Sequence, residues 1–130
     1  MTKAPKLKKE NGLIDWSRTA EQVCDQIRAM QPWPTAYTFL HRRGQPPRRI
    51  IVHRAGWYKN DLPKIPPGGI ILRPHHEHEL HVASGPENDR LGSEVEIFEL
   101  QPAGKRRMEA IDFLRGHPLQ EGDFFGPETP

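Results

Sequence analysis

The sequence predicts a mainly β fold: a small, five-stranded, OB-like barrel with one N-terminal helix and one short C-terminal helix. Three features support this prediction: an amphipathic helical segment, five short segments rich in β-branched and aromatic residues, and connections rich in glycine and proline. Strands and helices do not alternate, which argues against a doubly wound sheet. A small barrel is favoured because closure removes exposed strand edges.

The N-terminal helix is predicted to begin after Ser17, whose hydroxyl can accept a hydrogen bond from a free amide of the first turn. It is predicted to end at Gln31, since the residue before Pro32 is pushed out of the α region. Apolar residues recur between these limits at helical spacing and form one face. That face consists of Ala20, Val23, Cys24, Ile27 and Met30.

The remaining elements follow from the alternation of apolar residues and from turn-forming residues. A second helix is predicted from Met108 to Leu114, with Gly116 as its C-terminal stop. The five strands are predicted at 36–41, 48–58, 70–72, 79–83 and 94–100. We therefore expect three parts: a basic interdomain linker at 1–14, an OB-like domain at 15–120 and a disordered tail at 121–130.

Composition limits the class of protein. A length of 130 residues fits one domain, and a single cysteine excludes an intramolecular disulfide. No apolar run approaches the roughly 20 residues that span a bilayer, and the basic N-terminus lacks the apolar core of a signal peptide. We expect a monomeric, cytoplasmic protein that does not bind membranes.

The charge distribution favours a nucleic-acid partner. The net charge is only +2, but basic residues gather in three segments. Each segment alone is more typical of a solvated loop, whereas three on one small domain favour contact with a polyanion. The candidate nucleic-acid-binding residues are Lys6, Lys8, Lys9, Arg42, Arg43, Arg48, Arg49, Lys105, Arg106 and Arg107.

Four aromatic residues could stack on bases but are more typical of core packing. They are Trp33, Trp57, Tyr37 and Phe39. We expect all four in the core, with Trp33 filling the space between the helix and the barrel.

Four histidines within seven residues, His75, His76, His78 and His81, raise the question of a metal site. The zincin pattern would need a ligand at position 80, which is Leu80. A polar loop leading into a strand is the favoured interpretation, and we expect no metal site.

The residues also lack the signature of an active site. Cys24 falls on the apolar helix face, where an inert thiol is expected. The serines have no nucleophile-elbow context, and neither a phosphate-binding loop nor a dinucleotide fingerprint is present. We expect no catalytic residue and no bound cofactor.

Three sets of segments carry a resemblance to a known family. They are 4–7, 9–10 and 14–16 near the N-terminus, 27–29, 32–34 and 36–38 in a first block, and 100–108 and 112–116 in a second block. The two blocks resemble the methionyl-tRNA formyltransferases, and the N-terminal set resembles the segment that joins their two domains. The resemblance extends over about residues 3–117 and is weak between Gln45 and Gly92. One departure is Thr35, which stands where that family usually carries glycine.

The resemblance implies a division of labour. A separate N-terminal catalytic domain would bind 10-formyltetrahydrofolate and formylate initiator Met-tRNA in translation initiation. This chain would be the non-catalytic C-terminal domain, which holds tRNA through its basic linker and through Lys105 and Arg106. The assignment of Arg42, Arg43, Arg48 and Arg49 rests on charge alone.

Two alternatives stay open at this point. Relatives that act on nucleotide-linked sugars or on folate share the C-terminal architecture, and there the domain would serve as a scaffold or interaction module. A metal-binding domain that uses the four histidines is the third hypothesis.

Overall fold

The computed structural model describes residues 9–60, 65–86 and 92–129. It confirms a mainly β architecture with an N-terminal and a C-terminal helix. Neither helix is long and apolar enough to cross a membrane, within the described residues. The elements are a 3₁₀ helix (Lys9–Gly12), α1 (Ala20–Ala29), β1 (Ala36–His41), β2 (Arg48–Asn60), β3 (Ile70–Ile71), β4 (Leu80–Ser84), β5 (Gly92–Pro102), β6 (Met108–Glu109), α2 (Ala110–Gly116) and β7 (Phe124–Gly126).

All strands belong to one antiparallel sheet. Its order is β3-β4-β5-β2-β1-β7, and β6 pairs with β5 beside this path. The two ends of the sheet meet at a single bridge between Gly69 and Phe124. The amide of Phe125 also donates to the carbonyl of Gly68 at 2.7 Å. The sheet therefore curls until its ends touch, with one bridge at the junction in place of a full ladder.

Helix α1 begins two residues later than the sequence suggested. Thr19, and not Ser17, is the N-cap: its hydroxyl accepts from the amide of Gln22 at 3.2 Å, and the side chain of Gln22 accepts from the amide of Thr19 at 3.1 Å. This capping box satisfies two free amides at once, which a lone serine cannot do. Ser17 instead donates its hydroxyl to the Asp15 carboxylate at 2.6 Å.

The predicted apolar face of α1 is the buried one, except that Met30 is only partly covered. The helix packs against β2 and β5. The Cys24 thiol lies in this interface, and burial raises its pKa to about 11. This value supports the interpretation of Cys24 as an inert core residue.

The two longest strands extend beyond their predicted limits because they pair with each other. β2 and β5 are in register from Ile50 opposite Pro102 to Asn60 opposite Gly92. The second helix starts at Ala110 and not at Met108, because Met108 pairs with Leu100 as part of β6. These boundaries depend on strand pairing between distant segments, which residue preferences do not report.

The prediction of a disordered tail is wrong for most of its length. Phe124–Gly126 forms β7 and pairs with β1. The side chain of Phe125 is 2% exposed, and its ring lies 6.1 Å from that of Trp16. Gly68 permits this contact: it has φ +88°, and a Cβ there would lie 2.0 Å from the Phe125 carbonyl oxygen. The tail is ordered because it supplies both an apolar anchor and a strand.

The four aromatic residues assigned to the core do not lie there. Trp33 is 55% exposed in the turn before β1, and Trp57 is 38% exposed toward the end of β2. Tyr37 and Phe39 are half-buried on the outer side of β1. The buried positions of that strand belong to its alternate residues Ala36, Thr38 and Leu40. The alternation along β1 is therefore as predicted, but the inward side is the opposite one.

Candidate nucleic-acid interface

Two of the three basic segments meet at one end of the sheet. The β1–β2 hairpin turns there, and β5 ends there with Pro102 opposite Ile50. The amide of Ala103 donates to the carbonyl of Arg49 at 2.9 Å, which joins the turn after β5 to the start of β2. We call this region the basic end, defined by Arg43, Arg48, Arg49, Lys105 and Arg106.

At the basic end, the Arg49 side chain packs against an aromatic ring. Its guanidinium lies 4.5 Å from the centre of the Tyr37 ring, a cation–π contact. Phe39 lies directly opposite Arg49 across the strands, and its ring meets the Tyr37 ring edge-on at 6.0 Å. These three side chains line an open groove, together with Gln45, Pro46, Pro47, Arg48, Ala103 and Glu128. The groove therefore combines a planar cation with two aromatic rings.

The other members of the basic end differ in exposure and in their contacts within the protein. Arg48 is half-buried, with its Nη1 3.0 Å from Nε2 of His117. The side chains of Arg43, Lys105 and Arg106 are exposed, and none has an ion-pair partner within the described parts of the chain. These three cations are available to phosphates, whereas Arg48 shares its guanidinium with a neighbour.

Arg42 and Arg107 are engaged within the protein. Arg42 lies 3.3 Å from the Asp123 carboxylate and donates to the Pro118 carbonyl at 2.6 Å, so it ties the hairpin to the tail. Arg107 donates to Glu99 at 2.8 Å. This hydrogen bond, with a second from Arg54, lowers the pKa of Glu99 below its ordinary value. Both arginines therefore have a structural contact that was invisible in the sequence.

The structure describes only part of the predicted linker. Lys6 and Lys8 lie outside the described residues, and Lys9 is the first residue of the 3₁₀ helix. After that helix the chain runs beside β1, where the amide of Ile14 donates to the carbonyl of Tyr37 at 2.8 Å. The linker therefore reaches the domain next to the strand that carries the aromatic pair.

Tyr37 and Phe39 were not predicted as site residues. Their alternation along β1 was visible, and the outward side could have been inferred from the small residues Ala36 and Thr38 at the alternate positions. What no pattern revealed is that Arg49 lies opposite Phe39, because that depends on strand register.

A second group of ionisable side chains lies on the outer side of β4 and β5. Glu94 is 2% exposed and accepts two hydrogen bonds from Arg73, at 2.8 and 2.5 Å. His81 is 7% exposed and lies opposite Glu96 across the strands. Its Nδ1 lies 2.5 Å from Glu94, and its Nε2 lies 2.8 Å from Glu79. We call Arg73, His76, Glu79, His81, Glu94 and Glu96 the histidine–glutamate cluster.

The edge of this cluster is also hydrogen-bonded. His76 Nδ1 lies 2.8 Å from Glu79, and the Tyr58 hydroxyl donates to Glu96 at 3.0 Å. Hydrogen bonds from His76 and His81 lower the pKa of Glu79, and the bond to Glu96 raises the pKa of Tyr58. The four histidines do not converge: His75 and His78 are exposed on the loop.

Comparison with known proteins agrees with the resemblance. The family model described as formyl transferase, C-terminal domain, matches residues 6–118. A methionyl-tRNA formyltransferase of Bacillus subtilis (strain 168) is 39% identical over 125 residues, which is 96% of this chain and 35% of that protein. Proteins of the same name from Rhodopirellula baltica and Symbiobacterium thermophilum are each 37% identical, over 94% and 100% of this chain and 34% and 36% of their own lengths. The chain therefore spans about a third of the length of these relatives.

Proposed function

Because the chain belongs to the family of formyl transferase C-terminal domains, we propose that it is the tRNA-holding part of a methionyl-tRNA formyltransferase. The transfer of a formyl group from 10-formyltetrahydrofolate to initiator Met-tRNA is assigned to a catalytic domain that this chain does not contain. That domain and tRNA are the proposed partners, and a monomer in the cytoplasm is the proposed state.

The observation that carries the proposal is the basic end. Arg43, Lys105 and Arg106 are exposed and without an ion pair in the described chain, on two turns that lie next to each other. Cations so placed neutralise phosphates and release counterions. Phosphate contacts position a nucleic acid without reading its sequence, so we expect the domain to bind tRNAs in general.

The aromatic groove adds a second kind of contact. An unpaired base can stack on Tyr37 or Phe39, and the guanidinium of Arg49 is already held against the Tyr37 ring. Stacking contributes about 1–3 kcal/mol per base. The proposal therefore distinguishes a contribution from phosphate contacts at the turns and a contribution from stacking on the two neutral rings of the groove.

The test is tRNA binding by the 130-residue chain across a salt series, with a matched pair of variants. Lys105→Glu/Arg106→Glu should weaken binding and reduce the slope of log affinity against log salt by about 1 for each phosphate that is no longer neutralised. Arg18→Glu is the control, since Arg18 is exposed near Ser84, at the opposite end of the sheet, roughly 30 Å away along β5.

The outcomes separate the candidates. A loss of affinity confined to Lys105→Glu/Arg106→Glu supports the basic end as the tRNA surface. Equal losses in both variants indicate a general charge effect, and no binding at low salt favours a scaffold that packs on its own catalytic domain. Phe39→Ala should lower affinity while leaving the salt slope unchanged, and a changed slope would contradict stacking.

A further inference from the structure

We propose that the histidine–glutamate cluster is a binding site for one divalent transition-metal ion, with Glu79, His81 and Glu96 as the protein ligands. This site lies outside the proposed tRNA surface, and none of the sequence motifs predicted it. It differs from the four-histidine hypothesis, because three of those histidines take no part as ligands.

The geometry of the three ligand atoms suits a small cation. One oxygen of Glu79, one ring nitrogen of His81 and one oxygen of Glu96 all lie within 4.8 Å of one another. His81 Nε2 is 2.8 Å from the Glu79 oxygen and 4.0 Å from the Glu96 oxygen. Zinc bonds of roughly 2.0–2.2 Å place tetrahedral ligands about 3.4 Å apart, between these two distances. The two nitrogen–oxygen distances therefore bracket the separation that a tetrahedral zinc site requires.

The second ring nitrogen of His81 faces the partner that metal-binding histidines need. A ligating histidine usually directs its other nitrogen to a carboxylate, which fixes the ring and strengthens the ligand. Here Nδ1 faces Glu94 at 2.5 Å without an aligned hydrogen bond, and that carboxylate is held by two hydrogen bonds from Arg73. The arrangement leaves Nε2 directed at Glu79 and Glu96.

The two carboxylate ligands also have contacts outside the site. Glu79 uses its second oxygen to contact His76 Nδ1 at 2.8 Å, and the Tyr58 hydroxyl donates at 3.0 Å to Oε1 of Glu96, the oxygen that faces His81. Both ligands are thus oriented from outside the site. A water molecule can supply the fourth ligand of a tetrahedral zinc site.

The net negative charge of the histidine–glutamate cluster also favours a bound cation. Glu79, Glu94 and Glu96 bring three carboxylates to one guanidinium, that of Arg73, when the imidazoles are neutral. A divalent ion neutralises the remaining two charges.

The experiment is isothermal titration of the metal-free 130-residue chain with Zn²⁺. We expect one saturable site in the wild-type chain. The Zn²⁺ affinity should be at least tenfold lower in Glu96→Gln, which replaces a ligand, and 10–100-fold lower in Glu94→Gln, which removes the carboxylate next to Nδ1 of His81. His78→Gln is the matched control, because His78 is an exposed histidine of the same loop. The affinity of this variant for Zn²⁺ should equal that of the wild-type chain.

Thermal unfolding with and without Zn²⁺ keeps the test valid if a variant is less stable. The wild-type chain and His78→Gln should gain stability from the metal, and Glu96→Gln should gain less. Absence of saturable Zn²⁺ binding to the wild-type chain overturns the proposal. Loss of binding in His78→Gln equal to that in Glu96→Gln also overturns it, since the loop histidines would then be the ligands. Neither measurement involves tRNA, so its result is independent of the proposed function.

Discussion

The basic end and the histidine–glutamate cluster are both built on the outer side of the same sheet, yet their charges are used in opposite ways. At the basic end, Arg43, Lys105 and Arg106 project into solvent without ion pairs in the described chain. In the cluster, Glu94 is nearly fully buried and held by Arg73 and His81. Unpaired exposed cations attract an external polyanion, whereas buried paired charges hold the local structure or a small ion.

The difference shows that charge density alone does not identify a binding surface. Arg42 and Arg107 belong to the same sequence clusters as Arg43 and Arg106, but each has a carboxylate partner. Whether an arginine is available is decided by where the nearest carboxylate lies after folding. Substitutions at the sheet junction, in the cluster and in the turn before β1 have expected effects that decrease in that order.

The largest effect is expected at the sheet junction, where β7 meets the segment that leads into β3. Phe125→Ala should lower the free energy of unfolding by about 3–5 kcal/mol, because a fully buried aromatic side chain is removed. Urea denaturation measures it, with Phe124→Ala as the control, since that ring is half-buried and stacks on His41. A loss below about 1 kcal/mol for Phe125→Ala would mean that the tail does not pack as described.

A smaller effect is expected in the cluster. Arg73→Leu should lower the free energy of unfolding by about 2 kcal/mol, because it leaves the buried Glu94 carboxylate without its cation. The cost is below that of a fully buried pair because the Arg73 side chain is 28% exposed. Arg28→Leu removes an exposed pair with Asp25 and should cost less than about 0.5 kcal/mol. Equal costs in the same denaturation assay would remove the distinction between buried and exposed charge.

The smallest effect is expected at the turn that leads into β1. Thr35 has φ +69°, a left-handed conformation that costs a β-branched residue about 1–3 kcal/mol. Thr35→Gly should raise stability by about 1 kcal/mol after the entropy cost of glycine. Thr35→Ala is the comparison, because it keeps a Cβ and should gain less. If Thr35→Gly changed tRNA affinity as well, the turn would contribute to binding and not to folding alone.

The conformation of Thr35 also explains a departure in the sequence. The resembling family usually carries glycine at this position, and glycine adopts positive φ without strain. The departure was visible in the sequence, but the strain it causes was not, because the neighbouring residues do not predict a positive φ at position 35. The amide of Thr35 donates to the Met30 carbonyl at 2.7 Å, so the turn is set by a contact across five residues.

The sequence predicted the part of the site that consists of basic residues close together in the chain. The basic residues of the hairpin and of the turn after β5 were named from the sequence, and the antiparallel sheet brings these two segments together. The aromatic pair of the groove was assigned to the wrong side of its strand. The cluster was missed because its members come from a loop and two strands, and only the register places His81 opposite Glu96.

By itself, the sequence determined the local features: the amphipathic face of α1, the positions of five strands, the family and the composition of the basic turns. These depend on periodicity and residue preference within short windows. Tertiary structure alone decided that Phe125 anchors the tail, that Arg42 and Arg107 are paired while Lys105 and Arg106 are exposed, and that Glu79, His81 and Glu96 converge. The physical reason is that burial and pairing arise from strand register and sheet closure between segments far apart in the chain, and these contacts leave no periodic signal in the sequence.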